Sequence, residues 1–309
     1  MSVQVVAGYP QYADANIAFI PQLYAAQTLV KYYAASVMAA ISNTKYEGQI
    51  KDMGDKVIIR QRPTITTFPY RKGQKLNPET PSAAPLELLI DQAEAYDFVI
   101  DTIDEKQADI VLADEFTTDA SEQMKIAIET KILNAIYASA HAKNKGAAAG
   151  AKSGLFGLGV SGTPIGLTKA NIIEYITAVK AVLKEQNVPD GKMWMVLHEV
   201  FRWLIVNSDL KNASLTGDSQ SILRNGRIGE IDGMTIYSSN LLNSVTDGNY
   251  TAWHIIAGNL DALTFAAQLV KNEVVPAQST FGKEYRGLQV YGYKVVKPEG
   301  LVDLYAYKA

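Results

Sequence analysis

The stretch GDKVIIRQRPTITTFPYRKGQKLNPETPSAAPLELLI, residues 54–90, decides how this chain is built. Val57-Ile58-Ile59 is a β-branched run preceded by Gly54-Asp55, and Leu86 to Ile90 is a second apolar run, so both ends carry strand signals. Thr64 to Tyr70 is rich in β-branched and aromatic residues, and Gly73, Pro78, Pro81 and Pro85 punctuate the stretch beyond it. The two runs bracket a polar, Pro-rich tip and predict an extended β-hairpin loop over residues 46–90. A loop of this length, with a tip that has no core of its own, is unusual inside a compact domain. A subunit that lays the loop on a neighbouring copy accounts for it.

Charge changes sign across the loop. Arg60, Arg62, Arg71, Lys72 and Lys75 come after Lys45, Lys51 and Lys56, opposed locally by Glu47, Asp52 and Asp55. From Glu87 to Glu122 the chain then carries twelve carboxylates against Lys106 alone. Taken singly, each of these charges is a solvated surface group. Taken together they read either as two solvated faces or, more sharply, as a pair of complementary surfaces that meet between subunits, with Asp101, Asp104 and Glu105 opposite the loop cations. Such charges set register and partner choice more than affinity.

Working outward, residues 1–45 read as an N-terminal arm followed by a helical pattern from Leu23 to Ile41. Downstream, Asp119 followed by Glu122 is a helix-start signal, because a carboxylate there caps free amides. The apolar spacing through Met124, Ile128, Ile132 and Ile136 carries that helix to His141, a length of about 35 Å. Lys143 to Gly166, rich in Gly, Ala, Ser and Lys, reads as a flexible linker or a lobe boundary. Next comes a mixed α/β lobe. Thr168 caps a helix with Ile172, Ile176, Val179 and Leu183 on its inner face. Met193 to Leu197 is a buried strand, Glu199 to Val206 a helix, and Gly233–Tyr237 and His254–Ala257 are strands. Gln289 to Val296 and Leu301 to Tyr307 predict a terminal β-hairpin around Lys297-Pro298-Glu299-Gly300. The fold class is α+β.

Few chemistries remain open. The 309 residues contain no cysteine, which excludes disulfides, thiolate metal sites and cysteine nucleophiles. The net charge of −3 is not the basic footprint of a nucleic-acid binder. No basic n-region with an apolar run opens the chain, and no apolar stretch is long enough to span a bilayer. His141, His198 and His254 each stand alone, without metal-ligand spacing. The acidic stretch Asp101 to Asp114 lacks the alternation and central Gly of a calcium loop. Gly157-Leu-Gly-Val-Ser-Gly162 matches GxGxxG, but a dinucleotide turn needs a strand before it and a helix after it. A soluble α/β nucleotide-binding enzyme built around that loop is therefore the weakest reading. No catalytic residue, metal ligand or cofactor is assigned. The 17 tyrosines, many of them in the arm, loop and tail, suit interfaces as well as strands.

Four stretches together resemble the major capsid protein family of tailed double-stranded DNA phages, whose type example is the shell of phage Hong Kong 97. They are YEGQIKDMGDKVII (46–59), LIDQAEAYDFVIDTID (89–104), GRIGEIDGMTIYSSNL (226–241) and GLQVYGYKVVKPEGL (287–301). The third, of the type GxIGxIxGxxIYxSxxL, is the most specific. The resemblance spans nearly the whole chain in the right order. It implies a Hong Kong 97-like fold: N-terminal arm and helix at 1–45, extended loop at 46–90, and peripheral lobe with spine helix and linker at 91–165. An axial lobe at 166–257 and peripheral-lobe terminal strands at 258–309 complete it. It implies a structural role, with hexamers and pentamers of this chain forming an icosahedral shell around double-stranded DNA that is packed without sequence-specific contact. The implied partners are a portal and, because too few residues precede the loop to hold a scaffolding segment, a separate scaffolding protein or none. The implied location is the virion, after assembly in the host cytoplasm and with no membrane. Some relatives join a loop lysine to a peripheral-lobe asparagine. Lys72 and Lys75 are available as donors, but residues 281–309 contain no asparagine, so no covalent crosslink is expected. An encapsulin-like compartment, with the same fold and protein cargo, is the alternative in a related class.

Overall fold

The computed structural model describes residues 33–34, 36–45, 56–63, 65–75, 78–107, 112–208, 227–278 and 280–309. The arm, most of the helical pattern from Leu23 and the loop's first residues lie outside the described residues. In chain order the elements begin with α1 (Met38–Ile41), β1 (Lys56–Ile59), β2 (Leu86–Leu89), β3 (Gln92–Asp101), α2 (Thr102–Gln107) and α3 (Leu112–Ile136). Then come β4 (Ile165–Leu167), α4 (Ile172–Glu185), β5 (Met193–Leu197), α5 (Glu199–Val206), β6 (Arg227–Ile231) and β7 (Met234–Ser238). The chain closes with β8 (Ser244–Asp247), β9 (Tyr250–Asn259), β10 (Leu263–Pro276), β11 (Gly282–Val295) and β12 (Leu301–Lys308).

Three sheets result. β4-β12-β9-β5-β7-β6 form a seven-stranded sheet, with β8 added beside β9. β10-β11-β3 form a long antiparallel sheet, and β1-β2 form a two-stranded ribbon. β5 shows why the large sheet holds. All five of its residues are buried, which requires cover on both faces. Met193, Met195 and Leu197 face α4 and α5. Trp194 and Val196 face the other way, toward α3. On α4 the stripe Ile172, Ile176, Val179 and Leu183 is buried as its spacing predicts.

α3 joins the two larger sheets. Ile128, Ile132, Leu133 and Ile136 pack with Trp194, Val196 and Ile256 of one sheet and with Leu263, Tyr291 and Val295 of the other. The helix begins at Leu112, seven residues before the expected start at Asp119. Asp119 instead lies within the helix and accepts the Tyr33 hydroxyl at 2.8 Å. Asp114 and Glu115 occupy the true first turn, where negative charge suits the helix dipole. The helix ends at Ile136, followed by a 3-10 turn at Tyr137–Ser139.

Two further expectations are corrected. Of the two readings of residues 143–166, the flexible linker is the one the packing removes. Asn144, Ala149 and Leu158 are fully buried, Asn144 donates to the carbonyls of Glu299 and Leu301 at 2.8 Å each, and Glu185 receives the amides of Lys152 and Ser153. The terminal hairpin does not form either. β11 pairs with β10 and β3, whereas β12 pairs with β9 and β4. A 3-10 turn at Pro298–Gly300 carries the chain from one sheet to the other.

Candidate assembly interface

β1 and β2 pair antiparallel, with Ile59 opposite Leu86 and Lys56 opposite Leu89. One face of this ribbon has a home. Ile59, Leu88 and Ile90 are buried with Ala266 of β10 and Val290 of β11. The approach is so close that a Cβ on Gly292 would lie 2.1 Å from the Leu89 carbonyl oxygen, so β11 needs glycine there. The other face is left open: Ile58 is 53% exposed and Leu89 48%.

Beyond the ribbon the chain runs out and back, and every described residue from 60 to 85 is exposed. Few contacts shape it. The Thr66 amide donates to Glu79 Oε2 at 3.1 Å across the limbs. The tip turns at Arg71, whose carbonyl accepts the Gln74 amide at 3.0 Å. Ile65, Phe68 and Tyr70 present bare apolar surface. Among the described residues, Arg60, Arg62, Arg71, Lys72 and Lys75 have no ion-pair partner in their own chain. Lys56, at the base, pairs with Glu87 at 2.9 Å, an exposed pair of small consequence.

The expected acidic counterface lies at the far end of the long sheet and is partly used within the chain. Asp101 accepts the Ile103 amide at 2.8 Å, turning β3 into α2. Glu105 pairs with Lys283 at 2.8 Å. The side chain of Asp104 lies outside the described residues. No described contact joins these carboxylates to the five loop cations. The apolar residues around them, by contrast, are not foreseen from the sequence. Asp114 and Glu115 are exposed on the first turn of α3. Phe116 beside them is 46% exposed, and Ile103 and Phe281 are more so. Phe116 meets Phe98 edge-on at 5.9 Å, and Phe98 stacks on Tyr285 at 5.2 Å, so the patch is built on the sheet. A signal for Ile58 and Leu89 does exist in the sequence: a two-stranded ribbon with consecutive apolar residues cannot bury both faces alone.

The positions that look chemical in the sequence make packing and hydrogen-bond contacts within the fold. The Gly157–Gly162 loop leads into β4 rather than a helix, which removes the dinucleotide turn. A Cβ on Gly159 would sit 2.2 Å from the Tyr305 carbonyl oxygen, and the Leu158 carbonyl accepts the Tyr305 amide. Asp247 accepts the Gly162 amide and the Tyr305 hydroxyl. Burial, then the Asp247 carboxylate, pushes the Tyr305 hydroxyl up to about 12. His141 accepts the Lys143 amide. His198 caps α5 by accepting the Val200 amide, and burial lowers its affinity for a proton. His254 Nδ1 lies 3.0 Å from both carboxylate oxygens of Asp303, with Tyr137 stacked at 3.7 Å. Among the described residues no group of His, Asp and Glu has the arrangement of a metal site, and no helix is long and apolar enough to cross a membrane.

Comparison with known proteins agrees with this architecture. A structure from Mycobacterium phage Che8 superposes with a TM-score of 0.71 at 25% identity, covering 92% of this chain and 96% of that one. The capsid of cyanophage P-SCSP1u gives 0.67 at 14% identity over 94% of each chain. That of Ralstonia phage GP4 gives 0.65 at 11% identity over 97% of this chain and 99% of that one. A search of curated proteins by sequence finds no match. Residues 92–304 match the family described as phage capsid protein. With that match spanning both larger sheets, the long helix and the acidic patch, the chain belongs to the phage capsid protein family, as a structural major capsid protein of Hong Kong 97-type fold.

Proposed function

We propose that the chain tiles a closed icosahedral shell as hexamers and pentamers around double-stranded DNA, each copy draping residues 60–85 over a neighbour. The single observation that carries this reading is the loop itself, exposed at every described residue from 60 to 85 and bearing five cations without an ion-pair partner among the described residues. Contacts of this head-to-tail kind close into rings around symmetry axes. Ile65, Phe68 and Tyr70 bury against the neighbour, while Arg60, Arg62, Arg71, Lys72 and Lys75 find carboxylates there. Asp101, Asp104, Glu105, Asp114 and Glu115 are the acceptors this reading assigns. The long sheet with α3 serves as the peripheral lobe, and the seven-stranded sheet, with β12 in it, as the axial lobe. A portal and a separate scaffolding protein are the further partners, and assembly takes place in the host cytoplasm before the protein resides in the virion. The encapsulin-like alternative has no observation of its own, since the family match is to phage capsid proteins.

Charge reversal tests this reading. The double variant Arg71→Glu, Lys72→Glu is expected to lower shell yield about tenfold or more while leaving the thermal midpoint of the subunit unchanged, because an interface charge pair governs association rather than folding. Shell yield is counted by negative-stain microscopy and sedimentation. Equal yield from variant and wild type contradicts the reading.

A further inference from the structure

One buried carboxylate has no role in the interface. Glu129 sits in the second half of α3 and is 2% exposed. Its Oε1 accepts the Val37 amide at 2.8 Å, and its other oxygen accepts the Ser36 hydroxyl. The nearby Met38 amide also favours the ionised carboxylate. These donors belong to the entry of α1, where amides lack helical partners. The remainder of the segment is tied down elsewhere: Asn43 forms a bridge with Thr264 at the edge of β10, and Lys45 pairs with Asp261 at 2.7 Å. Residues 1–32 precede this segment in the chain.

We propose that Glu129 is a proton-gated latch that holds residues 36–41 against the long helix. Among the described residues the latch has donors but no counter-charge. The ionisable groups on the surrounding elements are Tyr33 with Asp119, Lys125 with Glu122, Lys131 with Glu94, Lys45 with Asp261, His254 with Asp303, and Tyr291. None of them is a cause of the shift at Glu129. Burial raises its proton affinity above the ordinary 4.5, and the hydrogen bonds from Ser36 and Val37, with the Met38 amide, oppose this only in part. An undocked segment leaves Glu129 in water with its ordinary affinity. The docked state therefore binds the proton more tightly. Docking strengthens as pH falls through the raised value toward 4.5 and levels off below it. Rising pH loosens the hold on residues 36–41.

Amide hydrogen exchange on the full chain tests the latch. Protection factors of Val37, Ala40 and Ser42 are measured from pH 8 to pH 5 and referred to Met195 in the buried strand β5. In wild type the ratio should rise as pH falls, by up to about tenfold per pH unit within the window, the limit for one linked proton. In Glu129→Gln, which carries no titrating group, the ratio should stay flat. A flat wild-type profile, or the same rise in Glu129→Gln, overturns the proposal. Should Glu129→Gln fail to fold, Ser36→Ala decides. Removing a donor that favours the ionised carboxylate should move the transition to higher pH, and an unmoved transition overturns the latch.

Discussion

β5 and the β1–β2 ribbon are written in the same alphabet, Met-Trp-Met-Val-Leu in one and Val-Ile-Ile with Leu-Leu-Ile in the other, yet they end in opposite states. Both faces of β5 are covered, by α4 and α5 on one side and α3 on the other. The ribbon is covered on one face only: Leu88 is fully buried, and its neighbour Leu89 is 48% exposed. The difference lies in the number of layers the chain supplies, not in residue type. Where the chain provides three layers, an apolar run becomes a core. Where it provides two, half of the run is left as surface that another molecule can cover.

The comparison can be broken from either side. The largest effect is expected from shortening the loop by replacing residues 61–84 with Asn-Gly, a tight hairpin turn. Shell formation should be lost, as judged by sedimentation, while the thermal midpoint stays close to that of wild type. A midpoint that collapses would mean that the loop belongs to the subunit's own core. The opposite lesion is Phe201→Ala, which empties a fully buried site beneath the large sheet. A loss of about 3–5 kcal/mol is expected, measured by denaturant unfolding, with shell yield falling only as far as the folded fraction falls. The charge reversal at Arg71 and Lys72 is the mildest of the three and separates loop chemistry from loop presence.

Much of this architecture is legible in the sequence where one signal has one meaning. The continuous apolar run at Met193 to Leu197 and the stripe on α4 name both the element and its cover. The helix at Glu199 to Val206 has the bounds its sequence predicts. Pro and Gly around residues 73–85, together with a cluster of cations, mark the projecting loop. The failures are equally physical. Alternation reveals that Leu301 to Tyr307 is a strand but not which strand it pairs with, so a terminal hairpin is the wrong partner choice. The first two turns of α3 bury no apolar stripe, so its start at Leu112 hides behind the better cap signal at Asp119. Small residues at 143–166 resemble a linker because the contacts that pack them, Asn144 to Glu299 and Leu301 and the loop amides to Glu185, come from distant parts of the chain. Glu129 and its partners Ser36 and Val37 are invisible in the sequence for the same reason, and so is the pairing of Glu105 with Lys283.

Whether residues 60–85 lie on a different copy of the chain is tested most directly by a photo-activated crosslinker at position 68. Phe68 is half exposed on the outgoing limb, so a substitution there leaves the subunit intact. Irradiating assembled shells should give chain-to-chain crosslinked bands on a denaturing gel, with none from dilute free subunits. Crosslinks confined to a single chain, in shells and free subunits alike, would contradict the draped loop.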